Sequence, residues 1–444
     1  MTTLSVVGLG KLGSPLLAVL ANAGFSVIGV DTDEAKVAAI NAGKAPVEET
    51  DLQEWLDGLK GTHYYKPKFS ATTDLRQAVL DSDTTFVIVP TPSGLDGGFV
   101  LDYLLPVMTE IGHALRDAEH YHVVVITSTV MPGQTAECGA VLESISGKKL
   151  GDHFGLVYSP TFIALGSVIR NLTQPYYAVI GTDDGRAEFA VGDIYNKIIV
   201  NGASVNRASQ INVEVAKIAQ NAFLAMKMAF ANDLGRLCEY LPGANADVVL
   251  GLLGQDLRIG ALNLTAGTAV GGPCLPRDSR ALEQVYQRAG VPKTACLSLR
   301  ELVDIMNDAT TEHLWRIVEK EAGDEGVVGV LGLAYKPGTS VCEESASLDL
   351  IDHLLMNPHR RVVVYDPLAM DEARKELGCA VEYADSPEDC VAKSDVVVLM
   401  FPDAELVPVN AYTREKTLVD PWRAAQPPLT ESVLFKYIPL GVGQ

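Results

Sequence analysis

The stretch from Leu4 to Asp31 restricts the possible folds more than any other. A short apolar run, Leu4 to Val7, passes into Gly8-Leu9-Gly10-Lys11-Leu12-Gly13 and then into a helical pattern carried by Leu16, Leu17, Val19 and Leu20. After Gly24 comes a second apolar run, Phe25 to Val30, ending on Asp31. Strand, glycine loop, helix, strand and acid is the order that opens a dinucleotide-binding fold. Gly8, Gly10 and Gly13 let a pyrophosphate approach the backbone at a helix N-terminus, with Lys11 and Leu12 in the same loop. Asp31 is suited to accept hydrogen bonds from the adenosine ribose hydroxyls. Its charge would repel the extra phosphate of NADP, so NAD is the expected cofactor. Lys36 reads either as a cover on the adenosine side or as a solvated helix lysine.

Further strands read at Thr85 to Val89 and Val123 to Thr127, each running into a polar loop: Pro90-Thr91-Pro92 and Ser128-Thr129-Val130. Loops at the carboxyl ends of parallel strands are where an open α/β sheet binds its ligand, so Pro90, Thr91, Ser128 and Thr129 are cofactor candidates. A threonine capping the next helix would look the same in sequence. Leu156 to Ser159 reads as another strand end, Ala178 to Gly181 as the strand that closes this sheet, and Gly185 to Tyr195 as the helix leading out.

Composition narrows the partners. Hydrophobic residues make up 48% and charged residues 20% of the 444, which fits a globular chain of two or three domains. A formal net charge of -21 argues against nucleic acid or an anionic membrane surface as the main partner. The seven cysteines are scattered without C-x-x-C spacing, which fits reduced thiols better than a disulfide framework, and no metal-ligand cluster is evident. The opening Met1-Thr2-Thr3-Leu4 runs straight into a strand pattern and no apolar run has membrane-helix length, so the expected location is cytoplasmic.

From Ile211 the pattern changes to long helices, apolar on nearly every side through Val213, Ala216, Ile218, Ala222, Phe223, Met226 and Phe230. Such a helix is expected between domains or subunits: a homodimer through it is the expectation, and the alternative is a helix sheathed by the two α/β domains of its own subunit. Lys217 and Asn221, four apart, share one face. A lysine amid alanine, valine and isoleucine either snorkels or meets a negative charge, and an oxyanion on a substrate would supply that charge. Arg258, before Ile259-Gly260, reads as a ligand for an anionic substrate group or as a helix-end residue.

The sharpest chemistry lies in Val270-Gly271-Gly272-Pro273-Cys274-Leu275-Pro276-Arg277-Asp278. The two glycines allow close backbone approach, the prolines restrict the loop, and Asp278 falls one turn beyond Cys274 if a helix opens here. A helix N-terminus and a nearby cation would favour the thiolate, the form that attacks a carbonyl; the alternative is a small buried residue in a tight turn. After the charged boundary at Glu319 to Gly326, strands read at Val327 to Leu331, Arg361 to Tyr365 and Val396 to Phe401. A helix reads at Leu348 to Leu355, and Gly332 to Thr339, with Lys336, forms a loop. The stretch from Pro421 to Gln444 reads as a loosely packed tail.

The expected architecture is α/β, with two Rossmann-like parallel-sheet domains (1–205 and 321–444) joined by a central helical dimerisation region (206–320). Taken in order, the glycine loop, Val89-Pro90-Thr91-Pro92, Ser128-Thr129-Val130, Lys217 with Asn221, Arg258-Ile259-Gly260, the cysteine loop, and Gly332 to Thr339 with Asp366-Pro367 resemble the nucleotide-sugar 6-dehydrogenases over about residues 1 to 400. This is the family of UDP-glucose, GDP-mannose and UDP-N-acetylmannosamine dehydrogenases. The resemblance implies oxidation of a sugar C6 alcohol to a carboxylate with two NAD, by an oligomer built on a long central helix. It further implies that Cys274 is the nucleophile, that Lys217 and Asn221 hold the oxyanion, and that Asp278 and Thr129 serve water and proton transfer. Lys336 and Arg258 would contact the substrate, the arginine from the partner subunit, with Thr161, Phe162, Leu165 and Gly271 also lining it. Where the family carries Pro-Glu-Phe-Leu and a second glutamate one turn on, this chain has Pro160-Thr161-Phe162-Ile163-Ala164-Leu165. That departure opens one alternative, a two-electron oxidation of an unusual nucleotide-linked alcohol; a regulatory protein that binds NAD without turnover is the non-enzymatic alternative.

Overall fold

The computed structural model describes residues 2–60, 69–292, 298–408, 416–425 and 435–443. Its contacts divide the chain into two units, residues 1–219 and 220–444. The first alternates strand and helix: β1 (Thr3–Val7), α1 (Gly13–Asn22), β2 (Ser26–Val30), α2 (Glu34–Asn41), α3 (Leu52–Lys60), β3 (Phe69–Thr72), α4 (Leu75–Leu80), β4 (Thr84–Val87), α5 (Leu104–Asp117), β5 (His122–Ile126), α6 (Gln134–Ser146), β6 (Phe154–Tyr158), α7 (Val168–Thr173), β7 (Tyr177–Gly181), α8 (Gly185–Ile198) and β8 (Ser204–Ala208).

These strands form one sheet in the order β3-β2-β1-β4-β5-β6-β7-β8. All neighbours are parallel except β6 and β7, which meet antiparallel with Tyr158 opposite Gly181. Chain order reverses between β1 and β4, and beyond the carboxyl ends of strands at such a switch point an open sheet leaves a crevice. The sheet is covered on both faces, and the two-residue period of a strand sorts neighbours into opposite cores. Val6 and Val125 pack with Leu16, Leu17 and Leu20 of α1. Val7 and Val124 pack instead with Met108 and Ile111 of α5 and Leu142 of α6.

A 30-residue helix, α9 (Gln210–Glu239), crosses from the first unit into the second. It contains no proline and one glycine, Gly235, so no break interrupts it. Then follow α10 (Ala246–Gly254), α11 (Leu275–Arg288), α12 (Leu299–Ala322), β9 (Val328–Leu331), α13 (Ala346–Leu355), β10 (Val362–Tyr365), α14 (Met370–Leu377), β11 (Glu382–Tyr383), α15 (Pro387–Lys393), β12 (Val396–Leu399), β13 (Thr417–Asp420) and β14 (Lys436–Pro439). The second sheet is parallel, in the order β11-β10-β9-β12-β13-β14. No helix among the described residues is long and apolar enough to cross a membrane.

The structure corrects three sequence expectations. Ala178 to Gly181 does not close the first sheet: β8 lies outside β7, with Tyr177 opposite Ser204. The helix after it, α8, returns the chain to that strand instead of leading out. With the sequence Ser-Val-Asn-Arg-Ala and a mostly exposed edge position, β8 lacks the apolar run that marks a buried strand. Nor are the described residues after Pro421 a loose tail. Trp422 Nε1 donates to the Met400 carbonyl at 2.8 Å, Arg423 pairs with Asp247 at 2.8 Å, and Lys436–Pro439 is the last strand of the sheet. A four-residue edge strand is too short to show a period.

Candidate active site

At the end of β1, Gly8 adopts φ 96° and its N–H donates to the Val30 carbonyl at 2.7 Å. A Cβ on Gly8 would collide with the Ile88 carbonyl, and one on Gly13 with the Gly8 carbonyl, so both glycines close the backbone on itself. Gly10 differs: a Cβ there would meet nothing within 4 Å among the described residues. The open space lies beside the start of α1, which has no side-chain cap. The Ser14 N–H already donates to the Gly10 carbonyl at 3.1 Å and Pro15 carries no N–H, so the approach for a pyrophosphate is along the Gly10 to Gly13 backbone at the positive end of the helix. Lys11 and Leu12 are half-buried in that stretch. Asp31, at the carboxyl end of β2, accepts the Leu9 N–H at 2.7 Å and the Asp33 N–H at 2.9 Å, and pairs with Lys36 at 3.4 Å. The acid therefore shapes the loop, and the lysine belongs to the acid.

The loops after β4 and β5 are stitched together. Ser128 Oγ donates to the Val89 carbonyl at 2.7 Å and accepts the Val89 N–H at 2.9 Å, and Thr91 Oγ1 donates to the Thr129 carbonyl at 2.7 Å. Ser128 and Thr91 thus hold the loops in register, while Pro90 is exposed and Thr129 half-buried. After β6, Lys217 Nζ donates to the Thr161 carbonyl at 2.9 Å and lies 4.9 Å from the centre of the Phe162 ring. The Phe162 and Tyr177 rings meet at a tilt of 39° with their centroids 4.8 Å apart, and Leu165 packs against the core. Glu49 closes the same segment by accepting the Gly166 and Val168 N–H groups at 3.0 and 3.1 Å.

Sequence reasoning missed Glu214, one turn before Lys217. Its carboxylate, 1% exposed, accepts the Gly133 N–H at 2.7 Å and the Thr135 N–H at 2.9 Å at the start of α6. An anion at a helix N-terminus satisfies groups that have no partner within the helix, and here it anchors the α9 segment that carries Lys217.

In the second unit Cys274 is the residue before α11, exposed, with Pro276 in the first turn. Asp278, one turn further, has 0% exposure. One of its oxygens accepts from Asn221 Nδ2 at 2.6 Å, and the other from Arg277 Nε and Nη2 at 3.1 Å. Two pairings expected only as neighbours on a helix are thereby resolved: Asn221 reaches Asp278, and Lys217 reaches Thr161. The cysteine loop is clamped by Asn307, whose amide accepts the Val270 N–H at 3.0 Å and donates to the Val270 carbonyl at 2.9 Å. Gly271 and Gly272 permit close approach, but to the Glu344 carbonyl and the Tyr335 ring. Lys336 is half-buried, its Nζ 5.9 Å from that ring. Arg258 is 89% exposed in its side chain and bound to Asp256, whose carboxyl is held below its usual range by the guanidinium. The following turn is gathered by Lys227, whose ammonium donates to the carbonyls of Ile259, Gly260 and Leu262 at 2.9, 2.8 and 2.7 Å.

Three family models cover most of this chain. Residues 2–199 match the NAD binding domain of the UDP-glucose/GDP-mannose dehydrogenase family, 212–309 its central domain and 329–427 its UDP binding domain. The chain belongs to this family. It is 34% identical over 400 residues to the UDP-glucose 6-dehydrogenase AglM of Haloferax volcanii, covering 89% of this chain and 90% of that protein. To the GDP-mannose 6-dehydrogenase of Pseudomonas aeruginosa it is 32% identical over 433 residues, or 94% and 95% of the two. The solved UDP-glucose dehydrogenase of Pyrobaculum islandicum superposes with a TM-score of 0.87 at 29% identity, covering 98% of this chain and 97% of that one. The protein is therefore an NAD-dependent dehydrogenase of nucleotide sugars, and the open Gly10 loop and Asp31 fit that cofactor.

Proposed function

We propose that this enzyme oxidises the C6 primary alcohol of a nucleotide sugar to the carboxylate through a covalent adduct on Cys274. The observation that carries the reading is the setting of the thiol: exposed, immediately before α11, with the buried Asp278 one turn on and bound by Asn221. The Gly8 to Gly13 loop and Asp31 would hold NAD, which would supply one hydride acceptor for each of the two oxidations, a fresh molecule for the second. The first oxidation of the alcohol leaves an aldehyde. The Cys274 thiolate adds to its carbon, and the oxyanion that forms is held by the Lys217 ammonium and the Asn221 amide. Protonation gives a thiohemiacetal. Its oxidation leaves a thioester, and water then expels the Cys274 thiolate and releases the acid, with Asp278 and Thr129 serving water and proton transfer. Thr161, Phe162, Leu165, Gly271 and Lys336 contact the substrate, with Arg258 of the partner subunit.

The partner is a second copy of this chain. Phe223, Phe230 and Leu237 recur every seven residues along α9 and are 55%, 44% and 51% exposed, with Val248 and Leu252 of α10 also exposed. An apolar stripe of this kind calls for a covering helix, and a two-fold dimer supplies one. Sedimentation of the wild type is expected to give a dimer and of Phe223→Asp/Phe230→Asp a monomer; a monomeric wild type at micromolar concentration would remove the proposal.

NADH formed per substrate consumed, with UDP-glucose and GDP-mannose as first probes, tests the reaction. Two is expected. One would favour the second reading, a two-electron oxidation, which Thr161 and Leu165 support by standing where the resemblance calls for glutamates. Cys274→Ser is expected to abolish acid formation while keeping NAD binding, because serine preserves size but is a far poorer nucleophile. Full acid production by that variant would eliminate the covalent route.

A further inference from the structure

The Cys274 loop is gripped from outside by one residue that acts through both its backbone and its side chain. Glu344 stands before the N-cap of α13 with φ 49°, a left-handed conformation that residues carrying a Cβ adopt at a cost. Its carbonyl oxygen accepts the Gly272 N–H at 3.0 Å, and a Cβ on Gly271 would collide with that same oxygen. Its carboxylate pairs with the Arg280 guanidinium, with Oε2 3.2 Å from Nη1. Arg280 lies on α11, six residues beyond Cys274, whereas Gly272 lies two residues before it. Glu344 therefore holds the chain on both sides of the thiol. The next residue, Ser345, caps α13 by accepting the Ser347 N–H, so the grip is tied to the C-terminal sheet.

We infer that Glu344 is a positioning residue for Cys274, setting the place of the thiol at the start of α11 through its carbonyl and its ion pair with Arg280. The inference rests on Cys274 being the nucleophile. Glycine would hold the same left-handed turn at less cost, so what glutamate adds is the reach to Arg280. The side chains of the pair are 31% and 36% exposed, and an ion pair that wet contributes little to global stability. Its effect belongs in the reactivity of the thiol.

Labelling of Cys274 by iodoacetamide in the full-length enzyme, followed by peptide mass spectrometry across pH, is the deciding measurement, with kcat, KM and Tm alongside. Glu344→Gln and Arg280→Gln are each expected to change the labelling rate at least about threefold. With UDP-glucose or GDP-mannose, kcat is expected to fall about five- to twenty-fold while both KM values stay within about twofold. Tm should move by no more than about 2 °C. The double variant should be no worse than the poorer single, because both changes break one interaction. Glu344→Gly, which keeps the carbonyl and relaxes the turn, should reproduce the labelling change with an equal or higher Tm. Labelling rates unchanged in both single variants overturn the inference, as do additive effects in the double. Labelling requires no turnover, so acid production by Cys274→Ser would reject the nucleophile and leave the labelling series to judge Glu344 separately.

Discussion

The first crossover of each sheet is built on the same backbone plan and serves a different end. Gly8 and Gly332 both follow the first strand of their sheet, with φ of 96° and 95°, and donate to the last carbonyl of the next strand, Val30 at 2.7 Å and Tyr365 at 2.8 Å. The residue after that strand is an aspartate in both. Asp31 accepts the Leu9 N–H at 2.7 Å, and Asp366 the Leu333 N–H at 2.7 Å. The plans part at the third position. Gly10 leaves open space and α1 begins three residues later without a side-chain cap, whereas Ala334 is buried and α13 begins only at Ala346, capped by Ser345. A helix start without a side-chain cap beside a bare glycine leaves room for an anion, whereas the first turn of α13 is already capped by Ser345. The eleven residues between Ala334 and Ala346 carry Lys336 and Glu344 instead.

The comparison breaks most readily at the aspartates. Asp366 is 2% exposed and also accepts the Ala334, Leu368 and Ala369 N–H groups, so Asp366→Ala strands four donors and is expected to cost about 4 kcal/mol. Asp31→Ala should cost only about 1–2 kcal/mol and narrow the preference for NAD over NADP. Urea denaturation and calorimetric titration with both cofactors measure the two effects; equal costs would mean that the aspartates do the same work.

Acid should separate the two sheets next. His122 is buried in the first, its Nδ1 2.9 Å from the Ser82 carbonyl and its Nε2 2.8 Å from Thr85 Oγ1, and burial lowers its pKa to about 4. The unfolded chain takes up that proton near pH 6.5, before the native chain does, so the stability contributed by neutral His122 is complete above about pH 6.5 and drains away as pH falls toward 4. The loss is of order 3 kcal/mol. In His122→Gln this step should flatten in a series of thermal scans; an undiminished step would assign the acid sensitivity elsewhere.

The loops themselves supply the smaller effects. Gly10→Ala should raise the Kd for NAD about 30-fold or more, roughly 2 kcal/mol, with Tm nearly unchanged because the fold has room for the methyl group. Ala334→Gly in the second loop should lower stability by about 1 kcal/mol or less and leave NAD binding alone. A fall in Tm for Gly10→Ala would show that Gly10 serves the fold and not the ligand.

Features governed by neighbours along the chain were legible in the sequence. The apolar runs of β1 and β2, the three glycines between them and Asp31 define the first crossover, and the glycines and prolines around Cys274 announce a loop opening a helix. The unbroken pattern after Ile211 reads directly as α9. Short edge strands such as β8 and β14 were not legible, because four or five residues paired on one side need neither a long apolar run nor a clear period. Residues meeting across the chain were decided only by the tertiary structure. Glu214 caps a helix about 80 residues earlier, Asn221 finds Asp278 57 residues later, and Glu344 reaches back to Gly272. Sequence spacing sets which face of a helix or strand a side chain occupies. The hydrogen-bond partner that face meets depends on strand order and helix packing, which no local spacing encodes.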